Sequence, residues 1–89
     1  MEKTIKFVVS GKVQGVFFRA STKKQADGLL LSGWVHNCEN GNVEGCASGK
    51  SAAIEKFVLW LEQGPRWAKV DNLTIEDCRQ QAFTGFDVR

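Results

Sequence analysis

Ile5-Lys6-Phe7-Val8-Val9-Ser10-Gly11-Lys12-Val13-Gln14-Gly15-Val16-Phe17-Phe18-Arg19 runs from an apolar strand pattern through a loop with two glycines into an arginine at the start of a helical pattern. Ile5, Phe7 and Val9 alternate with Lys6, Val8 and Ser10, the two-residue period of a strand with one buried face. Beyond the loop the period changes. Phe18, Thr22, Ala26 and the leucines at 29 and 30 recur at helical spacing, which predicts a helix from Ala20 to about Leu31. A strand that turns through glycines into a helix gathers consecutive N–H groups at the positive end of a helix dipole. Arg19 adds a fork of charged donors to the same place. Such a loop suits an oxyanion, and a phosphoryl group is the expected ligand.

The rest of the chain supplies the partners of this unit. Gly33 to Cys38 and Asn42 to Ser48 read as two strands of a hairpin around Asn40-Gly41, a dipeptide suited to the positive φ of a tight turn. Ser51 is the expected cap of a second helix whose inward stripe is Ile54, Phe57, Val58 and Leu61, with Gly64 and Pro65 stopping it. Trp60 falls off that stripe and is expected to be partly exposed. Val70 to Asp77 makes a fourth strand, and Phe86 with Val88 a short terminal one. The order is β-α-β-β-α-β plus an extra strand. It predicts an α+β fold, the ferredoxin-like (split βαβ) sandwich, with two helices on one face of a four- to five-stranded antiparallel sheet.

Composition bounds the function. The 89 residues, 43% hydrophobic and 25% charged, are enough for one core and one domain spanning 1–89. The 12 Lys and Arg residues exceed the 10 Asp and Glu by two and are spread along the chain, so no nucleic-acid footprint is expected. The apolar run Phe7 to Val9 is too short for a signal peptide or membrane span. Cys38, Cys46 and Cys78 are odd in number and lack CxxC pairing, which favours free thiols and a cytoplasmic location. One histidine and scattered carboxylates offer no spacing for magnesium or zinc, so neither metal nor cofactor is expected. A monomer is expected.

The motif Gly11-x-Val13-x-Gly15-Val16-x-Phe18-Arg19 resembles the first signature of the acylphosphatase family at every fixed position. Gly33-Trp34-Val35-His36-Asn37, then Gly41, Val43 and Gly49, is similar to the second in residue type and spacing. The resemblance covers essentially the whole chain, because family members are single domains of this size with the same element order. It implies metal-independent hydrolysis of a small-molecule acyl phosphate to a carboxylate and inorganic phosphate, with phosphate or sulfate as competing ligands. It also implies that the asparagine at 37 orients the attacking water and that the substrate's own phosphoryl oxygen takes the proton.

The residues are adequate to that chemistry. A carboxylate leaving group has a pKa of about 4 and departs without a general acid. Positioning and electrostatics remain. Backbone N–H groups of Gln14, Gly15, Val16, Phe17, Phe18 and Arg19 are the expected phosphoryl cradle, the Arg19 side chain the clamp, and Gly15 the residue that keeps the loop uncrowded. The Asn37 amide both donates and accepts, as a water-positioning group must. His36 is expected on the opposite sheet face from Asn37, outside the site.

Three positions depart from the family pattern. Leu30 stands where a glycine is common, so that either helix 1 ends near Gly28 or Leu30 takes a left-handed conformation. His36 replaces the usual lysine, arginine or similar residue, and Cys38 a frequent hydroxyl residue beside Asn37. Two other functions share parts of the pattern. An RNA-recognition module has the same plan, but its aromatics lie on inner strands, whereas Phe17 and Phe18 are adjacent in a loop. A phosphate-binding sensor would keep the loop but has no use for the Asn37 amide.

Overall fold

The computed structural model describes residues 1–89. Its elements are β1 (Glu2–Lys12), α1 (Phe18–Gly28), β2 (Ser32–Asn37), β3 (Val43–Lys50), α2 (Ser51–Gln63), β4 (Lys69–Cys78) and β5 (Phe86–Val88). The strands form one sheet in the order β4-β1-β3-β2-β5. β1 pairs antiparallel with both β3 and β4, and β2 antiparallel with β3. The terminal strand differs from expectation in direction. β5 runs parallel to β2, pairing Gly33 with Phe86 and Val35 with Val88, so the sheet is mixed.

Alternation decides which face is covered. Ile5, Phe7 and Val9 of β1, Val35 of β2 and Val43 and Ala47 of β3 point toward the helices and are fully buried. They meet Ile54, Phe57 and Leu61 of α2, the predicted stripe, together with Phe18 and Ala26 of α1 and Phe86 of β5. Phe7 and Phe86 both lie edge-on to Phe57. Trp60 is partly exposed, as its phase on α2 predicts, and rests 5.7 Å from the Phe18 ring.

The opposite face carries no helix, but the chain between β4 and β5 crosses one end of it. The Gln81 N–H donates to Thr4 Oγ1 at 3.2 Å, and Ser48 Oγ donates to the Gln81 carbonyl at 3.1 Å. These bonds explain how the polar side chains of Thr4 and Ser48 can be buried on an uncovered face.

Helix termini hold two surprises. Ser51 is the first residue of α2 rather than its cap. Lys50 occupies the cap position without a side-chain bond, and Ser51 donates both its N–H and its hydroxyl to the carbonyl of Met1. α1 ends at Gly28, and Leu30 is left-handed as well, at φ 59. The Leu31 N–H reaches the Ala26 carbonyl at 2.9 Å and the Leu30 N–H the Asp27 carbonyl at 3.1 Å, the two bonds of a Schellman motif. Leu31 and Ala26, the pair such a motif brings together, are both in the core. The α2 terminus follows the expected rule, with Gly64 at φ 71. A Cβ on Gly64 would stand 2.8 Å from the Phe18 ring, so this glycine is also required by packing.

Candidate active site

The loop between β1 and α1 is shaped by three left-handed residues. Gly11 at φ 123 sits at a bulge in the β1–β4 pairing, Gly15 lies at φ 74, and Phe17 at φ 60 precedes the first turn of α1. A Cβ on Gly15 would meet no protein atom. The backbone angle therefore demands glycine here, and the space beside it stays open. Phe17 accepts the same region despite its side chain, which is 78% exposed. Such a non-glycine outlier carries a cost of about 1–2 kcal/mol.

This geometry leaves the loop amides unpartnered. No main-chain carbonyl accepts the N–H of Gln14, Gly15, Val16 or Phe17. The opening turn of α1 adds the orphan donors of any helix start. Val16 and Phe18 anchor the loop by inserting their side chains into the core on either side of exposed Phe17.

A cleft of about 280 Å³ opens beside the loop, lined by Gly15, Phe17, Phe18, Arg19, Asn37 and Val88 among others. Five of the seven residues singled out from the sequence thus share one concavity. The other two contribute differently. The Val16 side chain faces the core, and the Gln14 side chain spans to the β2–β3 connection, where Nε2 donates to the Cys38 carbonyl at 2.8 Å and the Asn42 carbonyl at 2.9 Å. Gln14 is therefore a brace between the loop and the strand end that carries Asn37, a role its sequence position does not announce. The hairpin connection it grips is five residues, 38–42, longer than a two-residue turn, with Gly41 at φ 93 and the Asn42 N–H bonded to Asn40 Oδ1.

Arg19 is oriented by the other end of the chain. Its Nη1 donates to the main-chain oxygen of Arg89 at 2.7 Å, and the Arg89 N–H in turn donates to the Val35 carbonyl. The parallel addition of β5 beside β2 is what delivers Arg89 to this position. A guanidinium has five N–H donors, so one such bond fixes the fork and leaves most of it free.

The far side of β2 carries a different chemistry. His36 points away from the cleft, as expected, and its Nε2 lies 2.7 Å from Glu44 Oε1. The fold brings three side chains together that the sequence spacing did not group: the donor atoms of His36, Cys38 and Glu44 lie within 4.8 Å of one another. The cross-strand register, which pairs His36 with Glu44, brings them together. Desolvation raises the pKa of the Cys38 thiol above its ordinary value, and the Glu44 carboxylate adds to the shift. The Cys46 thiol is likewise raised, by burial first and then by Cys78. All three cysteines are free.

Known proteins identify the family. The sequence model of the family described as Acylphosphatase matches residues 5–88. An acylphosphatase of Legionella pneumophila (strain Corby) is 45% identical over 87 residues, covering 98% of this chain and 96% of that protein. One from Vibrio vulnificus (strain CMCP6) is 48% identical over 83 residues, covering 93% and 92%. The solved structure of an acylphosphatase from Coxiella burnetii superposes with a TM-score of 0.96 at 44% identity, covering 99% of this chain and 93% of that one. A chain with both signature segments, this sheet order and relatives matched along nearly their whole length is an enzyme of the acylphosphatase family.

Proposed function

We propose that the cleft hydrolyses small-molecule acyl phosphates without a metal, as a single domain spanning 1–89 that acts as a cytoplasmic monomer. The phosphoryl oxygens sit on the N–H groups of residues 14–19 and on the free edge of the Arg19 fork. Asn37, across the cleft, holds the water in line with the bond to the leaving carboxylate. The observation that carries this reading is the convergence on one cleft of an unpartnered amide arc, an oriented guanidinium and an amide side chain.

The reaction asks little else of the protein. The acyl carboxylate leaves unprotonated, so no general acid is needed, and the proton of the attacking water passes to a phosphoryl oxygen of the substrate. Donors already held in place stabilise charge on the equatorial oxygens without reorganising. Arg19 serves both ground and transition states, but its fork is most valuable when the phosphoryl group flattens and its oxygens spread. Inorganic phosphate and sulfate, offering the same tetrahedral oxygens, compete for the cradle. The three free thiols and the absence of any helix long and apolar enough to cross a membrane are compatible with the cytoplasmic assignment.

The test is hydrolysis of benzoyl phosphate by the purified chain in EDTA, beside Arg19→Ala and Asn37→Ala. Turnover that survives the chelator, collapses in both variants and is inhibited competitively by phosphate supports the reading. Full activity in either variant sinks the role given to that residue, and dependence on added metal sinks the mechanism.

A further inference from the structure

We propose that His36, Cys38 and Glu44 form a binding site for a zinc-class divalent cation on the open face of the sheet, separate from the hydrolytic cleft. His36 lies on β2, Cys38 just past its end in the hairpin connection, and Glu44 on β3. His36 and Cys38 are two residues apart on the β2 side, which puts them on one face, and Glu44 lies directly across from His36 on β3. The register thus makes a triangle of nitrogen, sulfur and oxygen, with every pair of ligand atoms within 4.8 Å and all three residues partly buried.

The donor set selects the ion. Magnesium and calcium take six or more oxygens, and this site offers one carboxylate. Imidazole, thiolate and carboxylate are the ligands of zinc, whose bonds of about 2.0–2.3 Å place tetrahedral ligand atoms roughly 3.3–3.8 Å apart. The His36 and Glu44 atoms, now 2.7 Å apart, would separate slightly around the ion, and the Cys38 sulfur would move inward. Short side-chain rotations suffice, since Gln14 already fixes the backbone at Cys38. Water completes the fourth position on this exposed face. Binding releases the thiol proton to solvent and keeps the imidazole neutral. Thiolate and carboxylate together cancel the charge of a divalent ion, so Lys6, whose charge acts on the Cys38 thiol, faces a neutral complex. In the ion-free site Glu44 holds both other side chains, paired with His36 Nε2 at 2.7 Å and hydrogen-bonded by the Cys38 thiol, so the three ligand atoms are already turned toward one point.

The site is tested with Co²⁺ as an optical probe on chain freed of metal by chelator and kept reduced. Cys38 is first isolated in a Cys46→Ala, Cys78→Ser background. Expected are one equivalent of bound Co²⁺, a thiolate-to-cobalt charge-transfer band, the visible bands of a tetrahedral ion, and displacement by one equivalent of Zn²⁺. Cys38→Ser should abolish the charge-transfer band. Glu44→Gln and His36→Asn should weaken binding by roughly tenfold or more while circular dichroism stays unchanged. If the background variant is unfolded, the same titration on the wild-type chain against Cys38→Ser gives the answer. Absence of the charge-transfer band at saturating Co²⁺, or its persistence in Cys38→Ser, would overturn the proposal.

Discussion

Leu30→Gly should make this protein more stable, although it deletes a large apolar side chain. Leu30 holds φ 59 at the position after the α1 cap, where the Schellman bonds of Leu30 and Leu31 lock it. A left-handed conformation costs a residue with a Cβ about 1–2 kcal/mol, and glycine nothing comparable. Against that stands the larger backbone entropy of glycine in the unfolded chain, about 0.4–1 kcal/mol. Burial contributes little, because Leu30 is 90% exposed and its side chain has almost no packing to lose. The balance is a gain of about 0.5–1 kcal/mol, which for a domain of this size raises Tm by roughly 2–8 °C. Urea denaturation and calorimetry of Leu30→Gly beside Leu30→Ala provide the measurement. The alanine variant shares the loss of the side chain but keeps the Cβ, so it should show no such gain. A glycine variant no more stable than the alanine variant would refute the reasoning, because the left-handed strain would then be absent or relieved elsewhere.

Other consequences concern the site. Arg19→Ala should lower kcat for benzoyl phosphate by about 100- to 1000-fold, the usual effect of removing a preorganised donor, and Arg19→Lys should recover little of it because an ammonium cannot form the planar fork. Gln14→Ala removes two bonds to carbonyls of the β2–β3 connection. It should cost about 1–3 kcal/mol of stability by urea denaturation and also lower kcat, since the brace between the loop and Asn37 is lost. In Gly15→Ala the new methyl meets no protein atom, so the loss should be about 1–2 kcal/mol, from its φ of 74 alone. The raised thiol pKa values of Cys38 and Cys46 mean that the folded chain carries less thiolate than the unfolded chain near pH 8.5, where an ordinary thiol is half ionised. Iodoacetamide should therefore label both more slowly in the folded chain at that pH. Because the neutral form is favoured by folding, stability should fall as pH rises through and above the unfolded thiol value, which a urea series across alkaline pH can follow.

What could be read from residues alone was what local chemistry determines. The strand period of Ile5, Phe7 and Val9, the glycines of the loop and the stop at Gly64-Pro65 each act over a few residues, and each appears where expected. The choice at Leu30 was legible as a dilemma, and the chain satisfies both halves of it. What escaped was set by register. No spacing rule says that β5, three residues long, joins β2 in parallel, since its place depends on where the crossover from β4 lands. The bracing by Gln14 escaped because its acceptors are main-chain carbonyls brought near by the hairpin. The triangle of His36, Cys38 and Glu44 had a usable signal. Strands folded about Asn40-Gly41 place residue 36 near residue 44, and a neighbour two positions along shares its face.

The sheet order also governs how the protein comes to be. β1 lies between β3 and β4, and its outer pairing joins Thr4 to Cys78 and Phe7 to Ile75. The start of the sequence must therefore wait for residues near its far end before the sheet can widen on that side. Loops of this size close late, and chains dominated by such distant pairings reach their native state in milliseconds to seconds rather than microseconds. Until β4 arrives, one edge of β1 offers a row of open N–H and C=O groups to any other extended chain. For this enzyme the hazard of misassembly lies less in the cleft than in the interval during which its first strand has only one neighbour.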